Sequence, residues 1–345
     1  MKKVLITGVT GQDGSYLAKK LVDDGFEVFG TIRRGSTPKI GRLQHQDIVD
    51  SIKLVPVEVT EFSNVFRTIR EIKPNFIYNL AAQSFVQDSF LHPSWTSHVN
   101  YLGVLNFLEA INLIGLKTRF YQASTSEMYG EVLGDPQDEF TPFNPASPYA
   151  VSKCAAHHLV KNYREAYGIN CSSGILFNHE SELRGREFVT RKITYQLAEF
   201  TQGRVEPIQL GNLDSVRDWG YADDYVDAMI LMASSNNPSD YVVATNKVTT
   251  VRNFFEMSAK FAGYNPVFEG SGSSEKCLDK KTGKVLSEVN DAFFRPKDVT
   301  YLRGDYSKIN KELGWSPSTS FEAMVEKMVK FDLDIANGRI DYFGI

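Results

Sequence analysis

A doubly wound parallel α/β sheet followed by a smaller mixed α/β lobe is the fold class this sequence predicts. Two observations lead there. The first half alternates short apolar, β-rich runs with longer amphipathic stretches, and this alternation stops near Phe177. The runs Val4–Thr7, Glu27–Ile32, Lys53–Val57, Phe76–Leu80 and Arg119–Ala123 read as strands. They are nearly continuous in apolar residues, as strands covered on both faces are. Helical spacing separates them near Ser15–Asp24, Ser63–Ile72 and Trp95–Ile114, and a further helix opens at Tyr149 and runs toward Tyr167.

Beyond Phe177, helices near Phe188–Gln202, Asp223–Ser234 and Val251–Ala262 are mixed with short strands and loops. Residues 270–294 are rich in Gly, Ser and Lys and read as a long loop or hairpin. Helices near Ser307–Leu313 and Phe321–Asp332 follow. The expected division is a first domain over residues 1–176, with about 211–245 returning to it, and a lobe over 177–345.

A chain of 345 residues with 42% hydrophobic and 23% charged residues is ordinary for a globular protein, and its net charge of −4 excludes a global affinity for nucleic acid or anionic membrane. Cys154, Cys171 and Cys277 show no CxxC spacing, so neither a disulfide scaffold nor a structural metal is expected. The start has too short an apolar run for a signal-peptide core, and no run is long enough to span a bilayer. A reducing, cytoplasmic setting is the expectation.

Chemistry enters with Gly8-Val9-Thr10-Gly11-Gln12-Asp13-Gly14, directly after the first strand and opening the first helix. A glycine triplet alone marks only a turn. In a strand–loop–helix context it is a variant of the Rossmann fingerprint: glycines let backbone approach a pyrophosphate, which the helix N-terminus attracts. An NAD site usually has an acidic residue at the end of the second strand; here stand Arg33, Arg34 and Ser36, whose guanidiniums and hydroxyl suit a 2′-phosphate, so NADP is expected. The alternative is two solvated arginines.

After the fifth strand comes Ser124-Thr125-Ser126-Glu127-Met128-Tyr129-Gly130, at the strand end that faces the ligand crevice. Hydroxyls there can bond a substrate, and Glu127 suits a general base if burial raises its pKa; a plain turn cap is the competing reading. Tyr149 and Lys153 are four residues apart and share one helix face. A phenol becomes a base near neutrality only if its pKa falls by about 3, which takes about 4 kcal/mol. A neighbouring ammonium, a positive nicotinamide and a dry pocket could jointly supply it. Spacing alone fits an ordinary amphipathic helix equally well.

Taken together, these residues resemble the extended short-chain dehydrogenase/reductase superfamily, and within it the GDP-mannose 4,6-dehydratase family, nearly end to end. The resemblance is carried by Gly8–Gly14, Arg33-Arg34, Asn79–Ser84, Ser124–Gly130, Ser147–Lys153 and Asn162–Gly168. It continues through Gly174–Ser181, Phe188–Ile193, Gly211–Asp214, Arg217–Gly220, Arg295-Pro296 and Gly314-Trp315. It implies an intramolecular redox cycle on a GDP sugar. Tyr149, assisted by Lys153, would deprotonate the C4 hydroxyl as hydride passes to NADP, with Thr125 holding the C4 oxygen. Glu127 would remove the C5 proton and help expel the C6 hydroxyl as water, and hydride would return to C6.

By the same resemblance the cofactor would lie on Gly8, Thr10, Gly11, Gln12, Asp13, Gly14, Arg33, Arg34, Ser36, Glu58, Val59, Leu80, Ala81, Ala82, Ser84, Tyr149, Lys153, Leu176, Asn178, His179 and Arg184. The substrate would meet Ser84, Phe85, Ser126, Asn178, Val189, Lys192, Gly211, Asn212, Leu213, Arg217, Arg295 and Asp298, with Arg217 and Arg295 on its diphosphate. The chain departs from the family pattern at Phe85 (usually His), Glu58 (usually Asp), Tyr221 (usually His), Asp298 (usually Glu) and Glu182–Gly185 (usually Pro-Arg-Arg-Gly). Phe85 leaves GDP-mannose and a larger GDP-manno-heptose both open. A homo-oligomer, a tetramer, is implied through the Arg34–Leu43 segment. The competing functions are a nucleotide-sugar 4-epimerase or reductase, which has no use for Glu127, and an NADP-binding sensor or scaffold without turnover.

Overall fold

The computed structural model describes residues 1–35, 39–131, 134–204, 206–293, 299, 301–341 and 344. The apolar runs form β1 (Lys3–Thr7), β2 (Glu27–Ile32), β3 (Ile52–Pro56), β4 (Phe76–Asn79) and β5 (Arg119–Thr125). Between and after them lie α1 (Gln12–Asp23), α2 (Gly41–His45), α3 (Phe62–Ile72), α4 (Val86–Leu91), α5 (Pro93–Ser97), α6 (Gly103–Ile114) and α7 (Pro148–Tyr167). Further along come β6 (Cys171–Leu176), β7 (Asn178–Glu180), α8 (Val189–Thr201), β8 (Ile208–Leu210), β9 (Val216–Tyr221), α9 (Ala222–Ser234) and β10 (Asp240–Val243). The remainder is β11 (Val248–Thr250), α10 (Val251–Phe261), β12 (Pro266–Glu269), β13 (Lys276–Asp279), β14 (Val285–Val289), α11 (Ser307–Leu313) and α12 (Phe321–Ala336).

Seven strands pair in the order β10-β6-β5-β4-β1-β2-β3, and every neighbouring pair is parallel. Val4, Leu5 and Ile6 are 0% exposed, because helices cover both faces. The order reverses between β1 and β4, so the crevice at the carboxyl ends of these strands opens beside the glycine loop. β6 and β10 escaped the sequence reading. β6 reads Cys171-Ser172-Ser173-Gly174 before its two apolar residues, so it lacks the run that marked the others, though all six residues are buried.

The expected single helix over Trp95–Ile114 is instead α5 and α6 joined by a π-helical turn, His98–Leu102. Asn100 within that turn is 1% exposed; its side chain accepts from Gln83 N at 2.9 Å and donates to Gln83 O at 3.0 Å. The wider turn places that amide against the loop after β4, a tertiary demand that apolar periodicity does not record. Helix α7 starts by local chemistry: the Ser147 hydroxyl accepts from Ala150 N at 3.1 Å and Pro148 occupies the first turn.

The lobe holds a three-stranded sheet, β7-β9-β11, and a four-stranded sheet, β8-β14-β13-β12. Residues 270–294 supply the β13–β14 hairpin, so of the two forms expected the hairpin is the one observed. Helices α8, α10 and α12 bury Ile193, Leu197, Phe254, Phe255, Met324 and Met328 in a second core. Within it Arg191 and Asp332 form a fully buried forked pair: Arg191 Nε lies 2.9 Å from Oδ2 and Arg191 Nη2 lies 2.7 Å from Oδ1. Thr194 Oγ1 donates to Asp332 Oδ2 at 2.7 Å. No described helix is long and apolar enough to cross a membrane.

Candidate active site

Two clefts meet at one wall. The first runs from the glycine loop along the ends of β4, β5 and β6; the second lies between β7, α8 and β9. Ser84, Thr125, Glu127, Tyr149, Asn178 and Arg184 line both. Leu176 of β6 faces the first cleft and Glu180 of β7 the second, so one extended segment joins them.

In the first cleft the loop closes with Gly11 N donating to Gly8 O at 2.9 Å. Gly8 has φ +68°, a left-handed conformation open to glycine, and a Cβ on Gly14 would stand 2.3 Å from Gly8 O. Gly8, Gly11 and Gly14 all line the cleft, where their backbone carries no Cβ. Gln12, Asp13, Leu80, Ala82, Lys153 and His179 complete this lining among the expected cofactor residues. Thr10, Arg33, Arg34, Glu58, Val59 and Ala81 lie outside that lining, and Ser36 lies outside the described residues. Ala81 N and Leu80 N both donate to Thr7 Oγ1, which ties this strand end down. Arg33 and Arg34 are exposed at the end of β2, with no ion pair among the described residues.

Asp13 and His179 face each other here, Oδ2 to Nε2 at 2.9 Å, while His179 Nδ1 donates to Phe177 O at 2.7 Å. Burial opposes ionising Asp13, but the charge and hydrogen bond of His179 outweigh it and bring the carboxyl down to about 2. Burial likewise opposes charge on His179, and Asp13 raises its pKa in return.

Tyr149 and Lys153 are buried on one face of α7, 8% and 4% exposed. Lys153 Nζ donates to Ala123 O at 2.9 Å and stands 6.0 Å from the Tyr149 ring centre. Burial takes the lysine down to about 8, with Asp13 opposing. It pushes the Tyr149 phenol up to about 12, although the Thr125 hydroxyl acts to lower it. The expected lowering joins the ammonium to a bound nicotinamide and a dry pocket; among the protein's own groups the phenol is raised. Desolvation dominates, and Lys153 spends a hydrogen bond on a carbonyl.

Thr125 ends β5 and caps the short turn Ser126–Tyr129, its hydroxyl accepting from Glu127 N at 3.3 Å. The cap reading and the site reading of this segment thus coexist. The Glu127 carboxylate has no hydrogen bond or ion pair among the described residues and reaches both clefts.

Of the expected substrate residues, Phe85, Val189, Lys192, Gly211, Asn212 and Arg217 line the second cleft with Ser84 and Asn178. Lys192 Nζ donates to Gln209 O at 2.5 Å and sits 3.8 Å from the Phe293 ring centre. Arg217 is 8% exposed and donates to Val216 O at 2.9 Å. Ser126 faces the first cleft instead, because the turn after Thr125 bends it there. Leu213 lines neither cleft; at 4% exposed it belongs to the core of the lobe. Arg295 and Asp298 lie outside the described residues.

Ser124, one of the hydroxyls expected at this strand end, lines the first cleft, and the structure adds Glu180, Glu187, Phe188 and Thr190 in the second, which sequence reasoning did not single out. Glu180 stands two residues after Asn178 on a strand, so alternation places both on one face. Its Oε2 accepts from Thr190 Oγ1 at 2.5 Å and lies 3.2 Å from Arg184 Nε.

A doubly wound sheet with a glycine loop at its switch point, and with Tyr149 and Lys153 on one helix face, defines the extended short-chain dehydrogenase/reductase architecture. It is shared with the UDP-glucose 4-epimerase of Thermus thermophilus in complex with NAD, at a TM-score of 0.80 and 26% identity, over 96% of this chain and 98% of that one. Residues 5–328 match the family described as GDP-mannose 4,6 dehydratase. GDP-mannose 4,6-dehydratase of Yersinia enterocolitica is 46% identical, over 97% of this chain and 95% of its own. That of Vibrio cholerae is 47% identical over the same shares. This chain belongs to the GDP-mannose 4,6-dehydratase family.

Proposed function

We infer that the protein is a GDP-sugar 4,6-dehydratase, a hydro-lyase that works with tightly bound NADP. One observation carries this reading: Glu127, a carboxylate without a protein partner among the described residues, stands beside Tyr149 on the wall common to both clefts. An alcohol oxidation needs one base; an elimination at the adjacent carbon needs another. A 4-epimerase or reductase has no use for the second.

The first cleft fits a dinucleotide. The open backbone of Gly8–Gly14 at the start of α1 suits a pyrophosphate, and Gln12, Asp13, Leu80, Ala82, Ser84, Leu176 and His179 would flank it. When bound, the nicotinamide supplies a hydride acceptor that is emptied again within the turnover. Tyr149 takes the proton of the C4 hydroxyl while Thr125 holds the C4 oxygen. Burial raises the phenol even with Lys153 in the same cleft, so further positive charge from a bound nicotinamide would favour this step near neutrality. Glu127 removes the C5 proton and passes a proton to the departing C6 hydroxyl. Arg217, with Asn178, Val189, Lys192, Gly211 and Asn212, would hold the nucleotide in the second cleft.

The choice of NADP rests on Arg33 and Arg34, exposed and without ion pairs among the described residues at the end of β2. Equal affinity of the apoprotein for NAD and NADP would reject it. The sugar is mannose or a D-glycero-D-manno-heptose. On the second cleft the Phe85 and Phe188 rings lie edge to face at 5.9 Å and the Arg184 guanidinium covers Phe188 at 3.7 Å, an apolar wall where the family pattern has a His in place of Phe85. On this reading residues 1–176 with 211–245 serve the cofactor, and 177–345 mainly serve the nucleotide sugar. The assembly is a tetramer, a dimer of dimers. Within the Arg34–Leu43 segment Arg42 is engaged in its own chain, donating to Leu183 O at 2.6 Å and Thr10 O at 3.1 Å. Of the three candidates Arg34, Ser36 and Arg42, Ser36 lies outside the described residues, and Arg34 is exposed and would reach a neighbour.

The test is incubation with GDP-mannose and with GDP-manno-heptose, followed by mass. The true substrate loses one water. Deuterium placed at C4 should appear at C6 of the product; label lost to solvent, or kept at C4, would overturn the reaction.

A further inference from the structure

Helix α7 carries a third polar side chain on the face of Tyr149 and Lys153. His157 follows Lys153 by four residues and is 5% exposed. Its Nδ1 lies 3.0 Å from Ser124 Oγ, and its Nε2 lies 3.9 Å from Asp240 Oδ2. Asp240 is gripped from the other side by Arg164, whose Nη1 and Nη2 donate at 3.0 Å and 2.7 Å. The Phe143 ring stands edge-on at 5.3 Å and the His158 ring at 5.8 Å. Ser124 is 4% exposed, sits beside Thr125 at the end of β5, and lines the first cleft.

Burial takes His157 down to about 4, with Asp240 opposing, so the ring is neutral near pH 7 and carries one proton. Nε2 faces a carboxylate, which only accepts. The proton therefore belongs on Nε2, and Nδ1 is left an acceptor. Ser124 has a single hydroxyl proton, and Nδ1 takes it. The lone pairs of Ser124 Oγ are then left to accept.

We propose that His157 is a positioning residue that turns the Ser124 hydroxyl into a fixed acceptor for an N–H donor at the reacting end of the ligand in the first cleft. This rests on the nicotinamide reading above, since a nicotinamide offers such a donor in its carboxamide. Without His157 the hydroxyl would be free to rotate and to present its proton instead, meeting the ligand donor with a donor.

The test combines spectroscopy and binding on the full chain. Nitrogen NMR of histidine-labelled protein should show His157 as the Nε2–H tautomer; the Nδ1–H tautomer overturns the proposal without any variant. In fluorescence titrations with NADPH, Ser124→Ala should weaken binding roughly tenfold, the loss of about one hydrogen bond. His157→Phe should weaken it similarly, and His157→Gln, which keeps an acceptor, should recover most of it. In the Ser124→Ala background His157→Phe should cost nothing further. The 3-acetylpyridine analogue of NADP, which lacks the N–H, should bind wild type and Ser124→Ala alike. Unweakened binding by Ser124→Ala, or an equal loss from His157→Phe with and without Ser124, overturns the proposal. If wild type binds no nicotinamide dinucleotide, the parent reading fails, and the tautomer still judges the orientation of Ser124.

Discussion

The two clefts share Glu127 and Tyr149 but are made of different material. The first is largely backbone: a glycine loop, a helix start and strand ends, with the Asp13–His179 pair at its side. The second is largely side chains held by other side chains, among them Arg184 on Phe188, Thr190 on Glu180 and Lys192 over Phe293. Behind it stands the buried Arg191–Asp332 pair, and Arg191 also donates to the carbonyls of Glu182 and Arg184. A site of backbone depends on conformation that a few adjacent residues dictate. A site of side chains depends on partners far apart in the chain.

Breaking the shared wall should have the largest effect. Glu127→Gln keeps size and polarity but removes the base, so turnover should fall about 10²- to 10⁴-fold while ligand binding persists. Unchanged turnover would mean that the clefts meet at Glu127 without using it.

In the lobe, Asp332→Ala strands the Arg191 guanidinium where both partners are 0% exposed. Denaturant unfolding should show a loss of about 3–5 kcal/mol, as for other broken buried pairs. A loss below about 1 kcal/mol, the range of surface pairs, would contradict the side-chain account of this lobe.

Gly14→Ala tests the backbone account, because its Cβ would press on Gly8 O at 2.3 Å and Val9 Cα at 2.7 Å. An overpacking cost of about 1–3 kcal/mol is expected, together with weaker dinucleotide binding and intact GDP-sugar binding. Equal loss of both ligands would erase the distinction.

The smallest effect concerns the Asp13–His179 pair. The Asp13 carboxyl is lowered from 3.8 to about 2, so its stabilisation is fully present above about pH 4 and is lost as pH falls toward 2. Wild type should exceed Asp13→Asn by about 2 kcal/mol near neutrality, a gap that closes in acid. A gap independent of pH would show that the pair is not ionised.

The first five strands were legible within two residues at either end because burial on both faces writes an apolar run into the chain. The hairpin at 276–289 was legible only as one of two forms. Leu213 follows Gly211 and Asn212 of the cleft, but its own side chain packs in the core of the lobe, which its sequence neighbours do not indicate. His157 was overlooked although it continues the Tyr149–Lys153 spacing, since one histidine on a helix says nothing of what crosses from β5 and β10.

What the amino-acid order determined by itself is local: the glycine loop after β1, the Ser147-Pro148 start of α7, and the helix face that Tyr149, Lys153 and His157 share. These follow from backbone conformation, capping and period, which act over a few residues. The tertiary structure alone decided which hydroxyls reach the clefts, that one wall serves both, and which way Tyr149, Lys153 and His157 titrate. Burial and charge at those points come from segments as distant as Ala123 and Asp240, and a linear pattern carries no record of that proximity.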